Sequence, residues 1–410
     1  MEQQELIPHL FRTEYRKIVS VLCKRFGLRE IEAAEDIASD TFMTAVHTWP
    51  SAGIPPNPVA WLHNVAKNKT KNYLHRQGIF NDKVTTAIHD DVPPTTYQEI
   101  DLSAGNIQDS QLQMMFAICQ PSIPVESQIA LSLRILCGFG IDEIADAFLV
   151  NKETINKRLL RAKEKLRNGN VSITFPAGSE IAARLDTVLT TIYLLFSEGY
   201  YSTADDRMVR KELCAEAMRL CYMLIENTGT NQPRVNALMA LMCFHSSRLD
   251  ARISAAGELI LYDDQDRNLW NKQLISRGAH FLKSASRGSE LSKYHLEASI
   301  AYWNTCPDDS AGKWPAILHL YDLLLQMEYS AMAALNRAFA LSKVHGKEEV
   351  IDAANAIDMA ESHFYHTLLG ELYTGIDNNK AGDHFRRALL IAKNHLEKLA
   401  ISKKLGKLTV

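Results

Sequence analysis

The sequence has 410 residues and a mass of 46.1 kDa, more than one average domain, which predicts two or three. Apolar residues make up 46%, charged residues 23%, and the formal net charge is −3, which excludes wholesale disorder and a chain that wraps nucleic acid over its whole surface. With 13 prolines, 19 glycines and long stretches rich in Ala, Leu, Glu and Lys, the expected fold class is all-α, not a TIM barrel or a Rossmann fold. The seven cysteines, at 23, 119, 137, 214, 221, 243 and 306, show no CxxC spacing. They are expected to be buried thiols, and neither a metal nor a cofactor is expected. The N-terminus lacks a basic-then-apolar signal pattern and no apolar run approaches membrane-span length, so a reducing cytoplasm and no membrane partner are expected.

Residues 1–77 are expected to form the first helical unit. Within it, the stretch 32–49 reads EAAEDIASDTFMTAVHTW. Ile37, Thr41, Ala45 and Val46 are expected to face the core. Glu32, Glu35, Asp36 and Asp40 then make an acidic surface, with Phe42 as a hydrophobic anchor beside it. Such a face suits a protein partner; its alternative role is internal charge balance. The stretch 58–76 follows as PVAWLHNVAKNKTKNYLHR. Asn57 before Pro58 marks a helix start, because proline at the first helical position loses no hydrogen bond. Over 61–76 there are four basic residues and no acids. Trp61, Asn64, Asn68, Lys71, Asn72 and Tyr73 interleave with Lys67, Lys69 and Arg76, a pattern suited to unstacked single-stranded bases: rings stack on bases and cations hold the backbone. The alternative for Trp61 is plain core packing. His63 and His75 have no Asp or Cys at metal-ligand spacing and read as surface histidines.

Residues 78–107, with Gly78, Asp90, Asp91, Pro93, Pro94 and Gly105, read as a linker. A short helix near 108–118 is broken by Pro121 and Pro124. The next stretch, 128–167, reads QIALSLRILCGFGIDEIADAFLVNKETINKRLLRAKEKLR. A helix over 128–137 is stopped by Gly138 and Gly140. A short helix over 141–148 turns Ile144 and Ala145 inward, and Asn151 is placed to cap a last helix. There, Ile155, Leu159, Ala162 and Leu166 form the buried stripe. Lys152, Thr154, Asn156, Lys157, Arg158, Arg161 and Lys165 occupy the opposite face. This is a helix-turn-helix pattern. Over 152–167, seven Lys or Arg face two acids, Glu153 and Glu164, a net +5 in a nearly neutral protein. Thr154, Asn156, Lys157 and Arg158 are early enough to reach base edges in duplex DNA. Arg161, Lys163 and Lys165 are placed for phosphates. An ordinary solvated basic face is the alternative.

After a break at 169–180, residues 181–404 read as successive helices with breaks near 199–206, 227–233, 262–268, 286–292, 306–315, 327–330, 345–348 and 375–380. Small-residue runs at 333–341, 353–361 and 384–392 resemble helical-hairpin repeats, with an irregular period. Glu198, Tyr200, Tyr201, Asp205, Asp206, Arg207 and Arg210 cluster in sequence. With Tyr294, His295, Glu297 and Arg337 they are candidates for a groove. Carboxylates, a histidine and tyrosines are components of acid–base sites, but GxSxG, HExxH, P-loop and dinucleotide fingerprints are all missing. The groove is therefore expected to bind a regulatory protein or a small ligand, with a purely structural role as the alternative, and the chain is not expected to be an enzyme.

The order of acidic helix, basic aromatic helix, linker and helix-turn-helix resembles the extracytoplasmic-function sigma factors of the sigma-70 family. The resemblance is carried by Asp36-Ile-Ala-Ser-Asp40-Thr-Phe42, by Pro58 through Arg76 and by Gln128 through Leu166. The remainder resembles the subgroup with a large C-terminal, tetratricopeptide-like extension. It does so at Leu194-Leu-Phe196-Ser-Glu198-Gly199-Tyr200, Tyr294-His295-Leu-Glu-Ala-Ser-Ile300, Tyr321-Asp322 and Leu335-Asn336-Arg337-Ala338, and departs at Ser197 and Gln120. The resemblance implies region 2 over 1–77, region 4 over 108–168 and a helical regulatory array over 181–410. It implies core RNA polymerase as a partner, through the beta prime clamp and beta flap. Glu35, Asp36, Asp40 and Phe42 would bind the polymerase. Trp61, Asn64, Lys67, Asn68, Lys71, Tyr73 and Arg76 would hold single-stranded −10 DNA. The basic face of 152–165 would read the duplex −35 element. The alternative function is a helix-turn-helix regulator with a helical sensing domain.

Overall fold

Among the described residues, long stretches without helix breakers fold as eighteen α-helices in the computed structural model, and no strand occurs there. The structure describes residues 3–85, 100–148, 150–169, 171, 173–201, 211–252, 260, 262–306, 312–392 and 395–408. Two compact units divide the chain, Met1–Leu194 and Leu195–Val410.

The first unit is built on α1 (Gln3–Phe26), whose Tyr15, Ile18, Val19, Leu22 and Cys23 are buried at helical spacing. Gly27, at φ 86°, ends it with a turn that a side chain would strain. A 3-10 turn at Leu28–Glu30 leads into α2 (Ile31–Ala52), which packs against α1. Next, α3 (Pro58–Thr85) starts where Asn57 Oδ1 accepts the Ala60 amide at 3.0 Å, leaving proline at the first helical position. The helix continues past Gly78, and α4 (Ala104–Ile118) already begins within the expected linker. The linker is therefore shorter than its composition implied, because one glycine does not stop a helix. Its central residues, 86–99, lie outside the described residues.

The chain then forms α5 (Val125–Leu131), a π-helical turn at Ser132–Leu136, α6 (Ile141–Phe148) and α7 (Lys152–Asn168). Gly138, at φ 76°, reverses the chain before α6. Asn151 caps α7, its Oδ1 accepting the Thr154 amide at 2.8 Å. Ile155, Leu159, Ala162 and Leu166 are the buried stripe of α7, and Ile144 and Ala145 are buried on α6. The helix α8 (Gly178–Tyr201) contains the boundary between the units, so the first unit ends later than the 169–180 break. Arg184 donates to the Phe116 carbonyl at 2.5 Å, and the Thr191 hydroxyl donates to Gln128 Oε1 at 3.0 Å. These bonds fasten the start of α8 to the first unit.

The second unit continues with α9 (Lys211–Glu226), α10 (Pro233–Ser246), α11 (Lys272–Ala285), α12 (Lys293–Thr305), α13 (Lys313–Met327), α14 (Ala331–His345), α15 (Ile351–Asn355), α16 (His363–Tyr373), α17 (Asn378–Ile391) and α18 (His395–Gly406). Neighbours in sequence mostly pack on each other. Their lengths, from 5 residues in α15 to 16 in α9, do not follow one repeat length. Two helix pairs cross closely for the same reason. A Cβ on Gly278 of α11 would lie 2.7 Å from the Phe244 ring of α10, and one on Gly370 of α16 would lie 2.7 Å from the Phe385 ring of α17. Both rings are fully buried and have little room to shift. None of the seven cysteines is in a disulfide, and six are buried. No described helix is long and apolar enough to cross a membrane, and no group of three metal-ligating side chains occurs among the described residues.

Gly278→Ala and Gly370→Ala are each expected to destabilise the protein by about 1–3 kcal/mol through overpacking. Gly105→Ala in α4, with nothing within 4 Å of the added Cβ, is expected to be neutral or stabilising by up to about 1 kcal/mol. Urea unfolding of the three variants measures the contrast.

Candidate nucleic-acid interface

On α2 the acidic face is not uniform. Asp36 and Asp40 are exposed, and Asp40 lies 3.9 Å from Lys69 of α3. Glu35, expected on that same surface, is 7% exposed and faces inward. Its Oε1 accepts Arg134 Nε at 3.2 Å and its Oε2 accepts Lys163 Nζ. Arg134 also donates to the Phe139 carbonyl and to the Tyr15 hydroxyl, each at 3.2 Å, and its guanidinium lies 5.2 Å from the Tyr15 ring centroid. Burial, with the Glu35 charge beside it, holds the Tyr15 hydroxyl well above the usual tyrosine range. At the same interface Arg167 pairs with Glu32 at 3.1 Å. The physical reason for the correction is helical phase. Ile31, Ala34, Glu35, Ala38, Phe42 and Ala45 share one buried side, which places Glu35 toward α7 and the π turn.

Phe42 is also buried, with its ring edge-on to Phe11 at 5.0 Å. It lies in the wall of an open apolar groove of about 380 Å³ lined by Ile7, Pro8, Phe11, Ser39, Phe42, Met43, Val46, Gly138 and Glu143. The apolar side chains that protrude are Met43, 51% exposed, and Val46, 42% exposed. Val46 was expected in the core, but Ala45 and Trp49 occupy that side four residues apart. Met43 was missed. An apolar residue one step past the stripe is the sequence signal that could have found it.

Along α3, Asn64, Asn68, Lys71, Asn72, His75 and Arg76 are exposed, a solvent-facing strip at helical spacing. Trp61 is half-buried at the start of the strip, edge-on to the buried Trp49 at 5.4 Å. It therefore packs on the core and also presents an edge. Lys67 is half-buried. Tyr73 departs from its expected role. Its hydroxyl donates to Glu30 Oε2 at 2.8 Å and its ring lies 5.4 Å from Phe26. Burial and the Glu30 carboxylate push its hydroxyl up to about 12. It clasps α3 to the turn after α1.

On α7, Asn156, Lys157 and Arg161 are exposed. Arg158 is half-buried, its guanidinium 5.8 Å from the Phe148 ring of α6. Other candidates have structural partners. The Thr154 hydroxyl donates to Asn151 Oδ1 at 2.7 Å, Lys152 pairs with Asp142 at 2.7 Å, and Lys165 donates to the Ser122 carbonyl at 2.9 Å. Lys163, expected on phosphates, is the partner of Glu35.

The candidates of the second unit each have their own surroundings. Glu198 is half-buried, and burial raises its carboxyl above the usual range. Tyr200 is buried against Phe196 and His245, and Arg252 lies 4.0 Å over its ring. Tyr294 is buried on α12. His295 is a capping residue, not a groove residue. Its Nδ1 accepts the Ser292 amide at 3.1 Å, and its Nε2 lies 3.1 Å from the Ala285 carbonyl, to which it donates. Arg337 donates to Asp322 at 2.5 Å, tying α14 to α13. Arg207 lies outside the described residues.

An uncharacterized protein of Rhizobium meliloti (strain 1021) is 30% identical over 374 residues, 90% of this chain and 88% of that protein. The chain belongs to the same family. Sigma-70 region 2 matches residues 10–79, and a family of unknown function, DUF6596, matches residues 184–286. The ECF RNA polymerase sigma-E factor of Haemophilus influenzae is 24% identical over 163 residues, 39% of this chain and 85% of that protein. The probable RNA polymerase sigma factor RfaY of Xanthomonas campestris pv. campestris is 25% identical over 184 residues, 43% of this chain and 44% of that protein. No solved structure matches the chain. The family member thus carries an N-terminal sigma-70 region 2 domain and is distantly homologous to ECF sigma factors over part of its length. It is a transcription-related, sigma-factor-like helical protein. Sigma factors are non-catalytic, and this homology places the chain with them, not with enzymes.

Removing Glu35 leaves Arg134 and Lys163 facing each other in a nearly dry interface. Glu35→Ala is expected to cost about 3–5 kcal/mol, whereas Asp36→Ala on the exposed side is expected to stay within about 0.5 kcal/mol. Urea unfolding of the full-length variants separates them.

Proposed function

We propose that this protein is a sigma factor that recruits core RNA polymerase to promoters. The observation that carries the reading is the coincidence of the region 2 match at 10–79 with an exposed, amide-rich basic strip on α3. Asn64, Asn68, Lys71 and Arg76 would hold unpaired −10 bases, with the free edge of Trp61 stacking at their margin. Asp36, Asp40, Met43 and Val46 would dock on the polymerase beside the apolar groove, in place of the buried Glu35 and Phe42. In α6 and α7, joined by the Asn151-capped turn, Asn156, Lys157, Arg158 and Arg161 would meet the duplex −35 element in the major groove. The chain is retained in the cytoplasm under this reading.

Promoter geometry then demands a rearrangement. Elements 25 base pairs apart are separated by roughly 85 Å along straight B-DNA. In the structure α7 and α2 touch through Lys163 and Glu35, and α3 packs directly on α2. Both reading faces cannot reach their elements while that contact holds. Binding to polymerase would open the first unit by exchanging the Glu35 and Glu32 pairs for contacts with polymerase and DNA.

Run-off transcription with purified core polymerase tests the assignment: the chain should confer promoter-specific initiation that core alone lacks. Binding of the free chain to duplex DNA with no effect on core would instead support a conventional regulator. Arg161→Ala should weaken duplex binding of the holoenzyme and lower the slope of log affinity against log salt by about 0.9, the amount for one phosphate contact. An unchanged slope in a folded variant would remove Arg161 from the interface.

A further inference from the structure

Three cations gather around the end of α10, the turns after it and the start of α13: Arg248, Arg252 and Lys313. Arg248 is 9% exposed, and no carboxylate of the described residues lies within ion-pair distance of it. Its guanidinium lies 5.2 Å from the Tyr262 ring centroid and 6.0 Å from that of Trp270. Among the described residues its hydrogen bond is from Nη2 to the Tyr200 hydroxyl, long at 3.5 Å. Arg252 stacks 4.0 Å over Tyr200 and donates to the Tyr200 carbonyl at 3.0 Å. Lys313, wholly buried, donates to the Tyr262 hydroxyl at 3.3 Å. That hydroxyl in turn donates to the Asn304 carbonyl at 2.8 Å.

Two buried donors here have no acceptor: Arg248 Nε and the indole Nε1 of Trp270. Buried N–H groups are almost always satisfied, and buried charges are almost always paired. Two orphaned donors on neighbouring side chains, one of them cationic, define what is missing: an acceptor with negative charge. Cation–π contact with Tyr262 and Trp270 eases the burial of Arg248 but supplies no acceptor. Burial with the Arg248 and Arg252 charges nearby pushes His245 down to about 3, so that imidazole stays neutral and adds no competing cation.

We propose that Arg248 and Trp270 form a binding site for a small oxyanion, a carboxylate or a phosphate group. Arg252 and Lys313 lie beside it, bonded to the Tyr200 carbonyl and the Tyr262 hydroxyl. Tyr200, Arg248, Arg252, Tyr262 and Trp270 all fall within residues 184–286, the stretch matching the family of unknown function, so the proposal gives that stretch a ligand chemistry. It stands apart from the polymerase reading, and its test uses no polymerase or DNA.

The full chain is titrated with inorganic phosphate and, separately, with benzoate, against chloride at constant ionic strength, while tryptophan fluorescence and thermal unfolding are followed. One of the two anions should give a saturable fluorescence change and a rise in the unfolding midpoint, and which one does so identifies the group bound. Arg248→Met should abolish both responses and, in anion-free buffer, unfold at no lower temperature than the parent, because it removes an unpaired buried charge. Trp270→Phe keeps a ring but loses the donor and should weaken binding at least about tenfold. It decides the matter if Arg248→Met does not fold. No saturable response to either anion, or a response that survives in Arg248→Met and in Trp270→Phe, overturns the proposal.

Discussion

The Glu35 carboxylate organises the first unit. It is the point at which α1, α2, the π turn and α7 meet, through Tyr15, Arg134 and Lys163. Pairing two cations with one buried carboxylate contributes little net stability over an apolar contact of the same shape, but its geometry is demanding. Either partner alone would be an uncompensated charge. The apolar stripe sets which side of α2 turns inward, and the contact fixes how α7 and the π turn sit against it. It leaves Asp36, Asp40, Met43 and Val46 outside as the surface open to a partner.

What could be read from the sequence was what depends on near neighbours along the chain. The stripe Ile155, Leu159, Ala162 and Leu166 follows from helical period alone, and it is the buried stripe of α7. The Asn151 cap and the reversal at Gly138 are likewise local, set by one side chain and one positive φ. Glu35 and Tyr73 were misplaced for a common reason. Each has a polar side chain whose partner is chosen by tertiary packing. Glu35 meets Lys163 128 positions away, and Tyr73 meets Glu30 43 positions away. No period in the local sequence encodes such a pairing. The cluster around Arg248 was invisible for the same reason, since Tyr200, Arg248, Tyr262, Trp270 and Lys313 are brought together by the turns between α8 and α13.

Both units tie helices with ion pairs, as Arg337 to Asp322 does in the second, and the second adds a further device. In the first, polar side chains tie elements across long sequence separations, as in Tyr73 to Glu30 and Arg134 to Glu35. In the second, closely crossing neighbours are set by an aromatic ring against glycine, Phe244 on Gly278 and Phe385 on Gly370. A ring on a glycine fixes the crossing distance without charge, so it is insensitive to salt and to a charged partner. An ion-pair interface is sensitive to both.

The charge on α7 has to be divided with the same distinction in mind. Of the seven cations that give its net +5, Lys152, Lys163 and Arg167 are paired with Asp142, Glu35 and Glu32, and Lys165 donates to a backbone carbonyl. Arg158 lies along Phe148. Lys157 and Arg161 are the fully exposed remainder. A count of basic residues thus overstates the field this helix presents in the folded chain. The pairs to α2 account for two of those cations, Lys163 and Arg167. If polymerase separates α7 from α2, Lys163 and Arg167 lose their partners as the helix reaches DNA, and the same event that frees the reading face also strengthens its charge.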